Sequence, residues 1–195
     1  VTMLKNTAGF TLIELMVVIA MLGISIALAF PSWERVGQKR LLTSAAERVA
    51  ASLAVAQTEA QKRNHTVSLA YNRTDNQNWC VGAVVGSSGC DCSETDPDSD
   101  QYCTIDGTAA SVESTSFSTV NLIEASDSQP AGGNSYVTFD PVRGILQPNG
   151  DRLQLTFESS GGYFQLRVFI SPTGLLKICN PNSDKQVGGY PSCAA

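Results

Sequence analysis

Histidine is nearly absent from this sequence, as are the motifs on which most metal and catalytic sites depend. The only histidine is His65, and the six cysteines form no Cys-x-x-Cys pair. Structural zinc sites need four such ligands at close spacing, so zinc is the weaker explanation of the cysteines. No Gly-x-Ser-x-Gly elbow and no phosphate-binding glycine loop is present. We therefore predict a protein that is not an enzyme and has no metal and no cofactor, with His65 capping the end of a helix.

Charge is missing from one long stretch, Phe10 to Phe30, in which Glu14 is the only ionisable side chain. About 21 apolar residues can cross a hydrocarbon core of about 30 Å as a helix. A secretory signal peptide has a shorter apolar core followed by small residues. Here "PSWERV" follows, so we predict a retained transmembrane helix. Pro31 cannot continue the helical hydrogen bonding, which predicts a kink there.

Basic residues are scarce beyond Asn64, where 14 Asp and Glu residues outnumber six Lys and Arg. A region with this balance repels polyanions, so nucleic acid is not a predicted partner. All six cysteines lie beyond the apolar run, and an even number indicates disulfides in an oxidising compartment. The C-terminal region is thus predicted to be periplasmic, although Arg35, Lys39 and Arg40 outnumber Lys5 in the flanking charges.

The spacing of the cysteines limits their pairing. Cys179 and Cys193 close a 15-residue segment and are predicted to pair, which would stabilise the fold by about 3 kcal/mol. Two free thiols are the alternative. Cys90 and Cys92 are too close to bridge comfortably. Cys80 and Cys103 are therefore each expected to form a disulfide with one of these two cysteines, and the sequence does not say which pairs with which.

The periodicity of apolar residues changes along the chain. Helical spacing continues beyond the apolar run and predicts one helix from about Phe10 to Arg63, amphipathic in its second half. Its buried positions are Leu42, Ala45, Val49, Leu53, Ala56 and Ala60. The remainder alternates in short runs between turn residues: "TVSLAY", "WCVGAVV", "STVNLIEA", "SYVTFD", "LQLTFE", "YFQLRVFI" and "LLKIC". These runs predict strands, and those between about Ser135 and Cys179 predict an antiparallel meander.

The predicted fold class is α+β, with a long N-terminal helix packed on an antiparallel sheet. No internal repeat and no dense linker marks a second globular domain. The predicted organisation is a leader at 1–9, a transmembrane and assembly helix at 10–30, an amphipathic helix at 31–64 and a disulfide-bonded β head at 65–195. Between Gly86 and Thr115 the polar, cysteine-rich sequence predicts a loop held by bridges.

The stretch "GFTLIEL" resembles the N-terminus of type IV prepilins and type II secretion pseudopilins. The resemblance implies a pilin-like fold, cleavage between Gly9 and Phe10 by a prepilin peptidase, and N-methylation of Phe10. It also implies that Glu14 pairs with the new amine of Phe10, since a buried carboxylate in a bundle of apolar helices needs a partner. An ordinary signal anchor with a stray acid is the alternative. Pro31 matches the kink position of pilins.

Further motifs resemble the FimT/FimU/GspH type of minor pilin and pseudopilin: "AAERVAASLAVAQTEAQKRNHTVSL", "FDPVRG" and "SPTGLLKICN…GYPSC". The resemblance implies a minor pilin that primes pilus assembly at the filament tip, in twitching motility, adhesion and fimbrial biogenesis. A GspH-type minor pseudopilin of a type II secretion system is the alternative. The implied partners are other minor and major pilins or pseudopilins, the peptidase and an inner-membrane assembly platform. The chain would lie in the inner membrane with its head in the periplasm, and later in the filament.

DNA binding and calcium binding are two further functions for which the sequence offers simpler explanations. A DNA-binding minor pilin for natural transformation needs a cluster of cations, but the tail offers only Lys185 beside Asp184. Asp96, Asp98 and Asp100 alternate as in part of a calcium loop, yet Gln101 and Gly107 stand where an EF-hand needs Gly and Glu. A solvated acidic loop is the prediction here.

Overall fold

The structure, a computed structural model, describes residues 9–126, 135–147 and 152–193. Of these, the side chains of residues 28–32 are not described. The predicted leader therefore falls almost wholly outside the described residues. The chain divides after Gly37 into two compact units, which are taken in turn below.

One helix, α1, spans Leu12–Arg63 and belongs to both units. Its helical assignment continues through Pro31, and the kink at that residue remains a prediction. In the first unit the described side chains of α1 are exposed up to Trp33 and beyond. Within the described part of the chain, no helix is both long and apolar enough to cross a membrane.

In the second unit, α1 buries the stripe that its periodicity predicts. All six predicted positions, Leu42, Ala45, Val49, Leu53, Ala56 and Ala60, are at most 2% exposed. They belong to one apolar cluster with the inward-facing residues of the sheets described below. Four of the six are alanine or valine, and such small side chains let a helix approach a sheet closely. The prediction of an amphipathic helix packed on a sheet is confirmed.

The end of α1 is closed by its own backbone. Asn64 adopts a left-handed conformation with φ of 53°, and the N–H of His65 donates to the carbonyl of Ala60 at 3.2 Å. This arrangement is a Schellman-type cap, which satisfies a carbonyl of the last turn. His65 thus contributes to the cap through its main chain, while its side chain is exposed. Arg63 also pairs with Asp106 and with Glu59.

Eleven strands follow α1 in the described residues: β1 (Val67–Arg73), β2 (Trp79–Val85), β3 (Thr104–Ile105), β4 (Thr108–Ala109), β5 (Ser111–Glu113), β6 (Val120–Ser126), β7 (Ser135–Phe139), β8 (Leu146–Gln147), β9 (Leu153–Ser159), β10 (Gln165–Ile170) and β11 (Leu176–Cys179). Short 3-10 helices lie at Ser114–Ser116 and Ser183–Lys185. Each of the seven strands expected from alternation is present. The strand pairings are all antiparallel.

The strands form two main sheets, so the prediction of one meander from Ser135 to Cys179 is wrong. A five-stranded sheet has the order β5-β2-β1-β7-β8, and a four-stranded sheet has the order β11-β10-β9-β6. β7 and β8 therefore join the first sheet, whereas β9 to β11 join the second. Turn residues identify where a strand ends, but the long-range pairing of β7 with β1 decides which sheet it enters.

The prediction of a loop between Gly86 and Thr115 is also partly wrong. β3 and β4 form a small two-stranded ribbon, and β5 adds an edge strand to the first sheet beside β2. These strands have two or three residues each, too few for alternation to reveal them. The rest of the segment is turn and bend, as predicted.

Candidate functional site: the N-terminal helix and the head

Thr11 sets the start of α1. Its side-chain oxygen accepts a hydrogen bond from the N–H of Glu14 at 3.3 Å, and its carbonyl accepts one from the N–H of Leu15 at 3.2 Å. Thr11 is thus the N-cap, and "TLIE" has the residue pattern of a capping box. The sequence analysis missed this role, although Thr followed by Glu three residues later is a known signal for a helix start.

Glu14 lies in the first turn of α1, one turn after Phe10. A carboxylate there is favourable because the unpaired N–H groups give the helix start a partial positive charge. Gly9 and the side chains of Phe10 and Glu14 are exposed. Among the residues that the structure describes, none forms an ion pair with Glu14. The structure therefore brings the three residues of the predicted processing and assembly site to one end of the helix.

The first unit exposes an unusual amount of apolar surface. Twelve large apolar side chains between residues 10 and 26 are 47–84% exposed: Phe10, Leu12, Ile13, Leu15, Met16, Val17, Val18, Ile19, Met21, Leu22, Ile24 and Ile26. The hydroxyl of Ser25 donates to the carbonyl of Met21 at 2.9 Å, so even this polar group is satisfied within the helix. A helix that is apolar on every side needs an apolar environment around it, either lipid or other helices.

Three disulfides bind the head, and all six cysteines take part. The structure joins Cys179 to Cys193, the pair that the sequence predicts. It also joins Cys80 to Cys92 and Cys90 to Cys103, which gives the order that the sequence left open. The two crossed bridges form a small buried cluster with Ala70. The Cys80–Cys92 bridge fastens the segment between β2 and β5 to β2, and the Cys90–Cys103 bridge closes a loop within that segment.

Asn180 organises the C-terminal segment inside the last bridge. Its side chain is 5% exposed, donates to the carbonyls of Val187 and Tyr190, and accepts from the N–H of Val187 at 2.8 Å. Tyr190 in turn donates to the carboxylate of Glu47 on α1 at 2.5 Å. Burial, with the added effect of Glu47, raises the pKa of Tyr190 to about 12. Sequence analysis missed Asn180, since one Asn in a polar tail carries no distinguishing pattern.

Gln57 connects α1 to two turns of the head. Its side-chain amide donates to the carbonyl of Gly144 at 2.6 Å and to that of Gly174 at 2.8 Å. Both glycines have positive φ, 65° and 78°, which favours glycine. They lie in the turns "FDPVRG" and "SPTG", so one helical side chain holds together two of the motifs on which the family resemblance depends. Sequence analysis missed Gln57 too.

The carboxylates of the acidic loop mostly satisfy the loop's own backbone. Asp91 accepts from the N–H of Ser93, Glu94 from those of Thr95 and Asp96, and Asp96 from that of Asp98. In the described part of the chain, no group of three or more His, Cys, Asp or Glu side chains is placed to hold a metal ion.

Comparison with known proteins adds two family matches. Residues 4–30 match the prokaryotic N-terminal methylation motif, and residues 45–174 match the type II transport protein GspH. No curated protein matches the chain significantly. Two crystal structures of the Pseudomonas aeruginosa type IV minor pilin FimU are similar at 19% identity. One covers 74% of this chain and 90% of its own with a TM-score of 0.48, and the other covers 70% and 91% with a TM-score of 0.46.

A methylation motif on an apolar helix, followed by a head of this kind, defines the superfamily of type IV pilins and type II secretion pseudopilins. Its members are structural subunits, and the role of this chain is that of a minor pilin or pseudopilin. The second match spans well over half of the sequence, and the chain belongs to the GspH family.

Proposed function

We propose that this chain is a minor pilin that primes pilus assembly at the filament tip. A prepilin peptidase would cut between Gly9 and Phe10 and methylate the new amine of Phe10. Before assembly the helix would anchor the chain in the inner membrane with its head in the periplasm. An assembly platform would then move the subunit into a filament beside other pilins. In this proposal the chain itself catalyses nothing, because its role is to pack against other subunits and to hold a fixed position in the filament.

The observation that carries the proposal is the exposed apolar helix with one carboxylate near its start. Removing each large apolar side chain from water contributes about 1.5–3 kcal/mol, so twelve of them hold the helix in an apolar environment, either lipid or a helix bundle. The move from lipid into the bundle gains free energy through close packing between helices, because both environments are apolar. An unpaired Glu14 would oppose that step, because a buried charge without a partner is costly. A neighbouring subunit's Phe10 amine, or the chain's own, supplies the opposite charge.

A GspH-type minor pseudopilin of a type II secretion system is the second candidate, and the family match is the observation in its favour. Both assemblies use the same anchor and the same helix packing. The difference lies in what the filament does once it has formed.

A deletion strain tests the two candidates together. Surface filaments and twitching are scored beside export of a secreted enzyme, with the deletion complemented by the wild-type gene as control. Loss of filaments with intact export supports the pilus-priming role. Loss of export with intact filaments supports the pseudopilin role instead, and no change in either would refute both.

A further inference from the structure

The basic side chains of the head fall into two groups with different surroundings. Three are used inside the head. Arg73 donates to the carbonyls of Leu122 and Ile123 at 3.3 and 2.5 Å, Arg167 pairs with Glu124 at 2.8 Å, and Lys185 pairs with Glu158 at 2.6 Å. The other three, Arg143, Arg152 and Lys177, are exposed. None of these three forms an ion pair with a described residue.

These three cations, which pair with no described residue, lie at one end of the head. Arg143 is in the turn between β7 and β8, and Lys177 follows the turn between β10 and β11. The two turns adjoin, since Gly144 and Gly174 both accept from Gln57 and a Cβ at Gly174 would strike the carbonyl of Gly144. Arg152 directly precedes β9, whose first residue pairs with the last residue of β10. We call Arg143, Arg152 and Lys177, with the turns between them, the distal basic surface.

Exposed apolar side chains lie among these cations. Val142 is 78% exposed at the tip of one turn, and Leu175 is 51% exposed at the end of the other, just before β11. The turns are held in shape, because Asp140 accepts from the N–H groups of Val142 and Arg143 while Ser171 accepts from Leu175. Such a rigid surface loses little conformational freedom on binding, which favours docking.

We propose that the distal basic surface docks against an acidic surface on the head of a neighbouring filament subunit. Charge complementarity supports an acidic partner: on a head with an excess of eight acidic over basic residues beyond Asn64, the three cations that pair with no described residue are gathered beside two exposed apolar groups. Opposite surface potentials steer association and fix register. Nucleic acid fits less well, because three cations neutralise few phosphates and the rest of the head repels a polyanion.

This proposal rests on the proposed function, since it requires the chain to stand next to other subunits. Zero-length carbodiimide cross-linking of sheared filaments or secretion assemblies from the native host, carrying the full chain, tests it. The reagent joins an amine to a carboxylate that touches it, and mass spectrometry identifies the joined peptides. The Lys185–Glu158 pair, at 2.6 Å, provides an internal positive control in every sample.

We expect Lys177 to be joined to an Asp or Glu on the head of another subunit. Lys177→Arg keeps the charge but removes the amine, so it should abolish this cross-link without lowering incorporation. Arg143→Glu with Arg152→Glu should lower the Lys177 cross-link about fivefold or more. Arg48→Glu makes one such charge reversal at an exposed arginine on α1 that pairs with no described residue, and it should leave the Lys177 cross-link unchanged.

The other outcomes overturn the proposal in distinguishable ways. If the chain is in the assemblies and Lys185–Glu158 forms while Lys177 stays unjoined or joins only its own chain, docking fails and the proposed function stands. If the purified chain in detergent instead binds a DNA duplex of about 30 base pairs, and the Arg143→Glu, Arg152→Glu variant does not, the surface is a nucleic-acid site. If the chain is absent from every assembly, the proposed function fails and the docking surface with it.

Discussion

Gly82 is the residue on which the two crossed disulfides depend most directly. A Cβ at this position would lie 2.5 Å from Cys103 Sγ and 3.0 Å from Cys92 Cβ. The two bridges are interleaved and buried, and one of them is attached to β2 at Cys80, so they cannot move aside easily and only glycine fits beneath them. The sequence shows one glycine in "WCVGAVV", and nothing in that stretch indicates that a disulfide packs against it.

We therefore predict that Gly82→Ala destabilises the head by about 1–3 kcal/mol, the usual range for overpacking. Thermal unfolding of the full chain in detergent, followed by circular dichroism, measures the change. Gly37→Ala is the matched control: it adds the same methyl group in α1, where a Cβ meets nothing within 4 Å, and should be neutral or stabilising. Equal unfolding temperatures for wild type and Gly82→Ala would refute the packing argument.

Gln57 is predicted to hold the two distal turns together. Gln57→Ala leaves the carbonyls of Gly144 and Gly174 without their donor, at a cost of about 1–3 kcal/mol. Gln57→Glu keeps the shape but replaces the donor with an acceptor, so it should be at least as damaging. Thr58→Ala serves as the control, because Thr58 bonds only to Ala54 within α1. Urea unfolding checks the order of the three variants, and a harmless Gln57→Glu would contradict the donor role.

At the scale of elements, the C-terminal segment depends on one bridge and on Asn180. Replacing Cys179 and Cys193 with serine removes the closure of a 15-residue loop, a loss of about 3 kcal/mol. We expect the head to remain folded, because the other bridges and the apolar core are untouched. Hydrogen exchange of the Val187 amide, which bonds Asn180, should become faster. Protection equal to that of the wild type would show that the bridge is not what holds this segment.

The raised pKa of Tyr190 predicts how the attachment of the C-terminal segment to α1 depends on pH. Its pKa is raised to about 12 in the folded state, against about 10 in an unfolded chain. The protonated phenol is thus favoured by folding, so the stabilisation is complete below about pH 10 and is lost as the pH rises toward about 12. Urea unfolding between about pH 9 and pH 11.5 should show that the free energy of unfolding of the wild type falls toward that of Tyr190→Phe as the pH rises. A constant difference would contradict this assignment.

Much of the secondary structure could be predicted from the sequence, and the predictions that failed have a common cause. The buried stripe of α1 and seven strands follow from periodicity, because burial on one face leaves a local pattern. The division into two sheets does not, since β7 pairs with β1 more than 60 residues earlier. The short strands β3 to β5 have two or three residues each, too few to leave an alternating pattern. Gln57 and Asn180 act through a few side-chain hydrogen bonds to distant main-chain groups, which leave no periodic trace.

At the scale of the whole molecule, Glu14 allows a test of the assembly step. Glu14→Ala should leave membrane insertion intact, because it removes a charge from an apolar helix, but should lower incorporation into filaments through loss of the partner for the Phe10 amine. Membrane and sheared filament fractions, probed for the chain, measure the two steps separately. Glu14→Gln is the control for side-chain size and should behave like Glu14→Ala. Normal incorporation of either variant would sink the pairing argument.

The family could also be predicted from the sequence, because the motifs that carry the resemblance are short, contiguous stretches. The "GFTLIEL" motif and the helix that follows need no knowledge of the tertiary fold, and the two family matches agree with that interpretation. The distal basic surface could not be read in this way. Arg143, Arg152 and Lys177 are separated in sequence by other residues and strands. The contact between two turns and the pairing of β9 with β10 bring them to one end of the head.

The edge strands of the five-stranded sheet carry a consequence for crowded filaments. β5 has three residues and β8 has two, so neither edge offers a long row of unpaired N–H and C=O groups. Long, flat edges invite the backbone of another chain to extend the sheet, and short ones discourage it. Where heads are held side by side at very high local concentration, this sheet is therefore a poor template for a neighbouring chain, and the longer edge strand β6 of the other sheet is the one that has to be protected.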